Sequence, residues 1–332
     1  MAISDLLPQV FRGLRRDASD ALTPADRAIA RDASTGASRQ AAAKVFGSDQ
    51  FIRRFDVQDA ASGAQRKLLA SAAVEGKDPS AFVLSPDNAD FRSALAQVID
   101  PNRQKFIAAI KGNPDLMNKF QNWNTLAQAD QVATLKQVSD LEGQVMGFTP
   151  PPIVTKPGVP GDGTLGFFAP DPQGGLGSVT LFPDAIAKAD NWTPLVTISH
   201  EMEHAHQDQI VKAAAAGQFA AGSPEATLAK GFSSADQGIE QVGGENKLNY
   251  GDYAHLNNEY DAFRFGNPTG AVVSDGAANT SDLGFVDAQF DKTGAPLLDI
   301  NQLAQQVGPD NLLSAVNQKE LAFIKALQQK TA

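Results

Sequence analysis

Three consecutive prolines, Pro150-Pro151-Pro152, follow closely on Gly147 near the middle of the chain. Proline lacks a backbone donor and fixes φ, so neither a helix nor a central strand crosses Gly147-Phe-Thr-Pro-Pro-Pro152. The sequence must change architecture there. Upstream the pattern is helical. From Phe51 to about Ile110 apolar residues recur at helical spacing, punctuated at Gly76, Pro79 and Pro86. Phe91-Arg-Ser-Ala-Leu-Ala-Gln-Val-Ile99 places its apolar residues on one helix face. A helix is predicted over 128–145, with Val132, Leu135, Val138 and Leu141 at three-residue intervals and Gly147 as its stop.

Downstream, two short strands are predicted at 164–169 and 178–182. Between them, Pro170-Asp-Pro-Gln-Gly-Gly-Leu-Gly177 is turn material, which makes a hairpin or the edge of a small sheet. Thr193-Pro194 reads as an N-cap followed by a first-turn proline. The helix it opens runs through four alanines at 213–216 to Gly217. A second helix is expected around 256–265, and a late hairpin over 285–300 turning at Lys292-Thr-Gly294. Two helices split by Gly308-Pro309 close the chain. No internal repeat is present. The expected fold class is α+β, predominantly helical, with a small antiparallel sheet built from hairpins.

Composition narrows the function. The 332 residues are 42% hydrophobic, enough for a sizeable core. No apolar run approaches the roughly 18–20 residues that span a bilayer. A net charge of −10 argues against nucleic acid or an anionic membrane as partner, since phosphate binding needs clustered Lys and Arg. The one short basic patch, 12–16, reads as a solvated helix face. Cysteine is absent, which removes disulfides, thiolate catalysis and thiol redox chemistry. Such a chain suits the cytosol, and equally a secretion channel that demands unfolding. Residues 1–50 read as loosely packed helix and linker, in keeping with an export or targeting extension. The first residues lack the basic, apolar and small-residue blocks of a conventional signal peptide.

The chemistry concentrates in Ile198-Ser-His-Glu-Met-Glu-His-Ala-His-Gln207. His200-Glu201-Met-Glu-His204 is an H-E-x-x-H motif inside the helix predicted from Thr193. At about 100° per residue, positions four apart differ by only about 40°, so both imidazoles point into one space a turn apart. That geometry chelates one zinc ion. Glu201 lies on the adjacent flank, within reach of water at the metal. Leu195, Ile198, Met202 and Ala205 fall on a different face, which the core can bury. His206 falls on that apolar side and is read as structural. A solvated charged surface is the plainer alternative. Against it, three of the chain's four histidines lie within seven residues, two of them at metal-ligand spacing.

A catalytic zinc requires three protein ligands and one open position. Tyr250-Gly-Asp-Tyr-Ala-His-Leu-Asn-Asn-Glu-Tyr-Asp-Ala262 is the best source of the third. Glu259, on the expected second helix, is the first choice, with Asp261, Asp252 and His255 as rivals. All three tyrosines, Tyr250, Tyr253 and Tyr260, lie in this segment. Tyr253 or Tyr260 is a candidate catalytic donor to an oxyanion, and packing is the alternative for each.

With these residues in view, the chain resembles the zincin metallopeptidases in their gluzincin arrangement, where a helical H-E-x-x-H is followed by a Glu on a later helix. His200-Glu201-Met-Glu-His204 matches the first part, and Asn258-Glu259-x-x-Ala262 resembles the second. The metzincin pattern is ruled out, because Gln207 and Ile210 stand where its Gly and third His belong. His204-Ala-His-Gln207 is similar to the H-A-x-Q ending of several bacterial secreted effector and toxin metallopeptidases, in which a short hairpin also precedes the motif helix. The resemblance covers roughly residues 125–265. It implies a zinc-dependent endopeptidase with Glu201 as general base and Zn2+ on His200, His204 and Glu259. It also implies a zincin-like metallopeptidase domain over 101–332, preceded by a helical export or recognition region over 1–100. The strand near Ser178–Phe182 is expected to pair with an extended protein or peptide substrate, a host target protein among them. The expected location is secreted without a conventional signal, into a host cell, with the cytoplasm as the alternative. Two other functions stay open: a translocated binding protein whose zinc is structural or vestigial, and a cell-wall peptide hydrolase.

Overall fold

Asn88 accepts the N–H of Phe91 at 3.0 Å and thereby caps the first helix of the computed structural model. The described residues are 88–157, 165–241, 256–278 and 289–308, with Leu312, Ala315 and Lys319. Helix α1 (Ala89–Lys111) buries Phe91, Leu95, Ile99, Phe106 and Ile110. It passes through residue 100 without a break. The domain boundary expected there therefore falls inside a helix whose first turns already belong to the core. The helical pattern expected between Phe51 and residue 87 lies outside the described residues.

Helix α2 (Pro114–Gln121) and a 3-10 turn (Trp123–Thr125) lead into α3 (Gln128–Met146). Gly147 takes φ +83° and its N–H bonds Gly143 O at 2.9 Å, which ends α3 in the left-handed conformation glycine tolerates. The buried face of α3 differs from the one its apolar spacing predicts. Leu135 and Val138 are buried, but so are Gln131, Thr134, Ser139 and Glu142, while Val132 and Leu141 are only half-buried. The chain then folds back, and Pro150 packs where a side chain on Gly143 would stand.

After the prolines come β1 (Ile153–Thr155), β2 (Gly166–Ala169) and β3 (Ser178–Leu181). The expected hairpin forms, with Phe168 opposite Val179 in an antiparallel register. The sheet, however, is mixed rather than antiparallel. Strand order is β1-β3-β2, and β1 runs parallel to β3 with Ile153 opposite Val179. Residues 178–181 are therefore the central strand. Both edges of β3 are occupied, so the strand expected to pair with substrate has no free edge.

A four-residue helix α4 (Pro183–Ile186) precedes α5 (Thr193–Ala215), which carries the motif. The N-cap position of α5 falls on Trp192 rather than Thr193, and Asp190, two residues earlier, supplies the acceptor. Its carboxylate accepts the N–H groups of Trp192 and Thr193 and the Thr193 hydroxyl, each at 2.8 Å. Gly217, at φ +72°, follows its C-terminus. Helices α6 (Pro224–Gln241), α7 (Asn257–Val273) and α8 (Ile300–Val307) complete the described elements. Of the late hairpin, one antiparallel bridge, Phe290 to Pro296, spans the turn at Asp291–Gly294. Residues 285–288 of that hairpin lie outside the described residues, and of the helix expected after Pro309 only Leu312, Ala315 and Lys319 are described, all three helical.

Helix α5 sits at the centre, packed against α7, α6, α3 and the inner face of β2 and β3. Leu195, Ile198, Met202 and Ala205 are fully buried, as their face of the helix requires. Burying a Leu, Ile or Met side chain contributes about 1.5–3 kcal/mol, so this stripe anchors the helix that aims the histidines. The domain is mostly helical with one small sheet, an α+β arrangement. Among the described residues no helix is long and apolar enough to cross a membrane.

Candidate metal centre

One turn of α5 separates His200 from His204, and the structure places their Nε2 atoms 3.1 Å apart. The rings meet edge to face with centroids 4.7 Å apart. Helix α7 crosses α5 closely because residue 266 is glycine. A Cβ there would lie 2.8 Å from Val196 O. That approach brings Glu259, in the first turn of α7, against both imidazoles. Its Oε2 lies 3.5 Å from His200 Nε2, and its Oε1 lies 3.5 Å from His204 Nε2. Phe263, one turn further along, packs on the His200 ring at 4.7 Å. His200 and Glu259 are buried and His204 is half-buried.

The three side chains form a cluster that can hold a metal ion, one ligand atom from each lying within 4.8 Å of the others. The donor set fits a cation on two further grounds. Glu259 Oε2 is buried and lacks a well-formed hydrogen bond, His200 Nε2 standing 3.5 Å away. Two ring nitrogens and a carboxylate facing one another also favour a positive charge between them, a metal ion or a proton. Burial alone would depress the His204 pKa, but the Glu259 carboxylate overrides it and raises the value to about 10. Glu259 answers in the opposite sense. Burial would raise its carboxyl, yet His204, and then His200, hold it well below the usual carboxylate range.

Glu201 stands beside this triangle. Its Oε2 accepts the backbone N–H of Phe168 at 2.8 Å, so the outer edge of β2 holds the carboxylate. Burial lifts its pKa above the ordinary value. His200 and His204 oppose the lift, Glu259 adds to it, and the Phe168 N–H opposes it.

The other candidates take different places. Asp261 is buried on α7 but accepts Gln207 Nε2–H at 2.9 Å and couples to Glu203, away from the imidazoles. Tyr260 is buried, and its hydroxyl accepts a hydrogen bond from Arg264 Nη1 at 3.2 Å. Arg264 in turn pairs with Asp100 of α1, which places the phenol in the packing between α7 and α1. Asp252, Tyr253 and His255, together with Tyr250, lie outside the described residues. His206 turns into the interior and stacks on Phe148 at 5.1 Å. Burial lowers its pKa to about 4, while burial raises that of its neighbour Glu203 to about 8. Burial thus disfavours charge on both partners of their 3.1 Å contact.

Two residues at the site escape sequence reasoning. Phe168 acts through its backbone, which no residue type signals. From sequence Gln207 reads as the residue that excludes a metzincin and as the end of the H-A-x-Q resemblance, with no role assigned to its side chain. In the structure its Oε1 meets His204 Nδ1 at 3.0 Å. Its position three residues after His204 is the one signal that could have revealed it.

No family model, curated protein or solved structure matches this chain. The metal cluster therefore stands on its own geometry and chemistry.

Proposed function

We propose that the chain is a zinc-dependent peptidase that hydrolyses protein or peptide amide bonds. The observation that carries the reading is the donor triangle with Glu201 beside it. Zinc bonds of about 2.0–2.1 Å in tetrahedral geometry need donors about 3.3 Å apart. The two Nε2 atoms lie 3.1 Å apart and each has a different Glu259 oxygen at 3.5 Å, so the contacts fall near that spacing, with one donor from each residue within 4.8 Å of the others. Two imidazoles and one carboxylate leave a fourth position open, as catalytic rather than structural zinc sites do.

When bound, zinc supplies Lewis-acid polarisation of a carbonyl and acidifies water. The chain's own residues supply the rest. Glu201, oriented by the Phe168 N–H, takes the proton of the attacking water and hands it to the leaving amine. Strand β2 is an edge strand, and Phe168 spends its N–H on Glu201 rather than on β3, so its outer edge faces the site. An extended peptide laid along that edge would bring an amide bond to Glu201. This favours a polypeptide over a small ester or a lactam as substrate.

The test is a peptide-library cleavage assay on the wild type and Glu201→Gln, with zinc content measured on both. The expected result is cleavage by the wild type, and loss of about 100-fold or more in turnover for the variant with zinc retained. Equal turnover by the two proteins would remove Glu201 from the chemistry. Zinc binding with no cleavage of any peptide would favour a structural ion in a binding protein.

A further inference from the structure

Gln207 has both ends of its side-chain amide occupied, and the chemistry of those partners fixes which way it points. One end faces Asn258 O and Asp261 Oδ2, each at 2.9 Å. A backbone carbonyl only accepts, so that end must be the NH2 group. The remaining oxygen faces His204 Nδ1 at 3.0 Å and also only accepts. His204 must therefore carry its proton on Nδ1. In a metal-loaded centre, where the ring is neutral, its Nε2, the atom that meets His200 and Glu259, would then be the unprotonated donor.

We propose that Gln207 is a positioning residue that sets the metal centre in two ways at once. It fixes the His204 tautomer through Nδ1, and it ties α5 to the first turn of α7 on both sides of Glu259. The second task follows from register. Asn258 and Asp261 flank Glu259 in sequence, so a bond to each holds the turn that presents the third donor. Gln207 itself is buried, which keeps water from replacing these bonds. Its distance of three residues from His204 lets a single side chain reach the ring on its own helix and the backbone of the next. Outer-sphere partners of metal-bound histidine commonly work through a carboxylate or a carbonyl. Here a neutral amide does so, and unlike a carboxylate it donates to the opposite helix as well.

The inference rests on reading His200, His204 and Glu259 as a zinc site, and its test separates the two. Zinc dissociation constants are measured on the full chain by competition with a chromophoric chelator, for the wild type, Gln207→Met, Gln207→Glu and Gln209→Met. Gln207→Met keeps the volume and loses all three contacts, and it is expected to bind zinc about 10–100-fold more weakly. Gln207→Glu restores the acceptor for His204 Nδ1–H but not the donors, and should recover part of the loss. Gln209, which bonds the Thr149 backbone on the far side of the helix, serves as control, and Gln209→Met should bind as the wild type does. Long-range proton–nitrogen spectra of the zinc-loaded histidines should show the His204 proton on Nδ1 in the wild type. In Gln207→Met that signal should broaden or exchange faster.

Zinc binding by Gln207→Met within twofold of the wild type would overturn the proposal and leave the zinc site standing. So would a Gln207→Glu protein as weak as Gln207→Met. A wild type that holds no zinc would overturn both. A wild type whose zinc affinity depends on Gln207 but which cleaves no peptide would remove only the peptidase reading.

Discussion

Adding one methyl group at Gly266 tests whether the distance between α5 and α7 sets the metal triangle. An alanine Cβ there would lie 2.8 Å from Val196 O and 3.4 Å from both His200 Cβ and Val196 Cγ1. The first of these is backbone, so no side-chain rotation relieves the contact. The helices must separate by a few tenths of an ångström. Overpacking of this kind costs about 1–3 kcal/mol. Alanine's better helix propensity offsets about 1 kcal/mol of it. A net destabilisation of about 0–2 kcal/mol is expected for Gly266→Ala in urea unfolding of the metal-free protein. The larger effect should fall on the metal. Separation lengthens the two contacts between helices, those from Glu259 to His200 and His204, both already at 3.5 Å. It leaves the 3.1 Å pair within α5 alone. Zinc affinity should drop by about tenfold, or 1.4 kcal/mol. Gly143→Ala is the control. Its Cβ would strike Pro150 Cγ at 2.3 Å on α3, so stability should fall without loss of zinc affinity. Unchanged zinc binding by Gly266→Ala, or an equal loss in both variants, would refute the reasoning.

A second expectation concerns Glu142, whose two carboxyl oxygens are buried without a hydrogen-bond partner. Burial first, and Glu203 second, lift its pKa well above the ordinary 4.5. The folded protein thus keeps a proton that the unfolded chain releases, and stability falls as pH rises above about 4.5, by up to 1.36 kcal/mol per unit. Glu142→Leu should flatten that slope and be more stable than the wild type at pH 8 by about 1–3 kcal/mol, measured by urea unfolding across pH. An unchanged slope would refute it. Metal removal should also register in stability. At free zinc 100-fold above its dissociation constant, binding adds about 2.7 kcal/mol, so chelation should lower the melting temperature by roughly 5–10 °C. His200→Ala, which lacks one donor, should show little of this shift in calorimetry.

The motif helix is legible in the sequence because its two tasks use separate faces. Helical spacing assigns Leu195, Ile198, Met202 and Ala205 to the core and brings His200 and His204 into one space, and the structure places them so. Glu259 is legible for a weaker reason, an acid early in a second helix. What brings it to the histidines is Gly266, whose importance appears only when another helix lies against it. Pattern reading failed where polar residues are buried. It assigns charged and amide side chains to the surface, whereas Glu142, Glu203, Asp261 and Gln207 lie inside and satisfy or strain one another there. The parallel pairing of β1 was equally hidden, since a three-residue strand after a run of prolines gives no sign of its partner or direction. Capping misled by a few positions. Thr193 has the right chemistry, but Asp190 reaches three donors at once.

The most direct measurement is X-ray absorption at the zinc edge on the purified, zinc-loaded full chain. Two imidazole nitrogens and a carboxylate oxygen should appear at about 2.0–2.2 Å, with the multiple-scattering pattern of two histidine rings. His204→Ala should reduce that pattern by half. A shell of oxygens alone, or a chain that folds and takes up no zinc, would contradict the proposed centre.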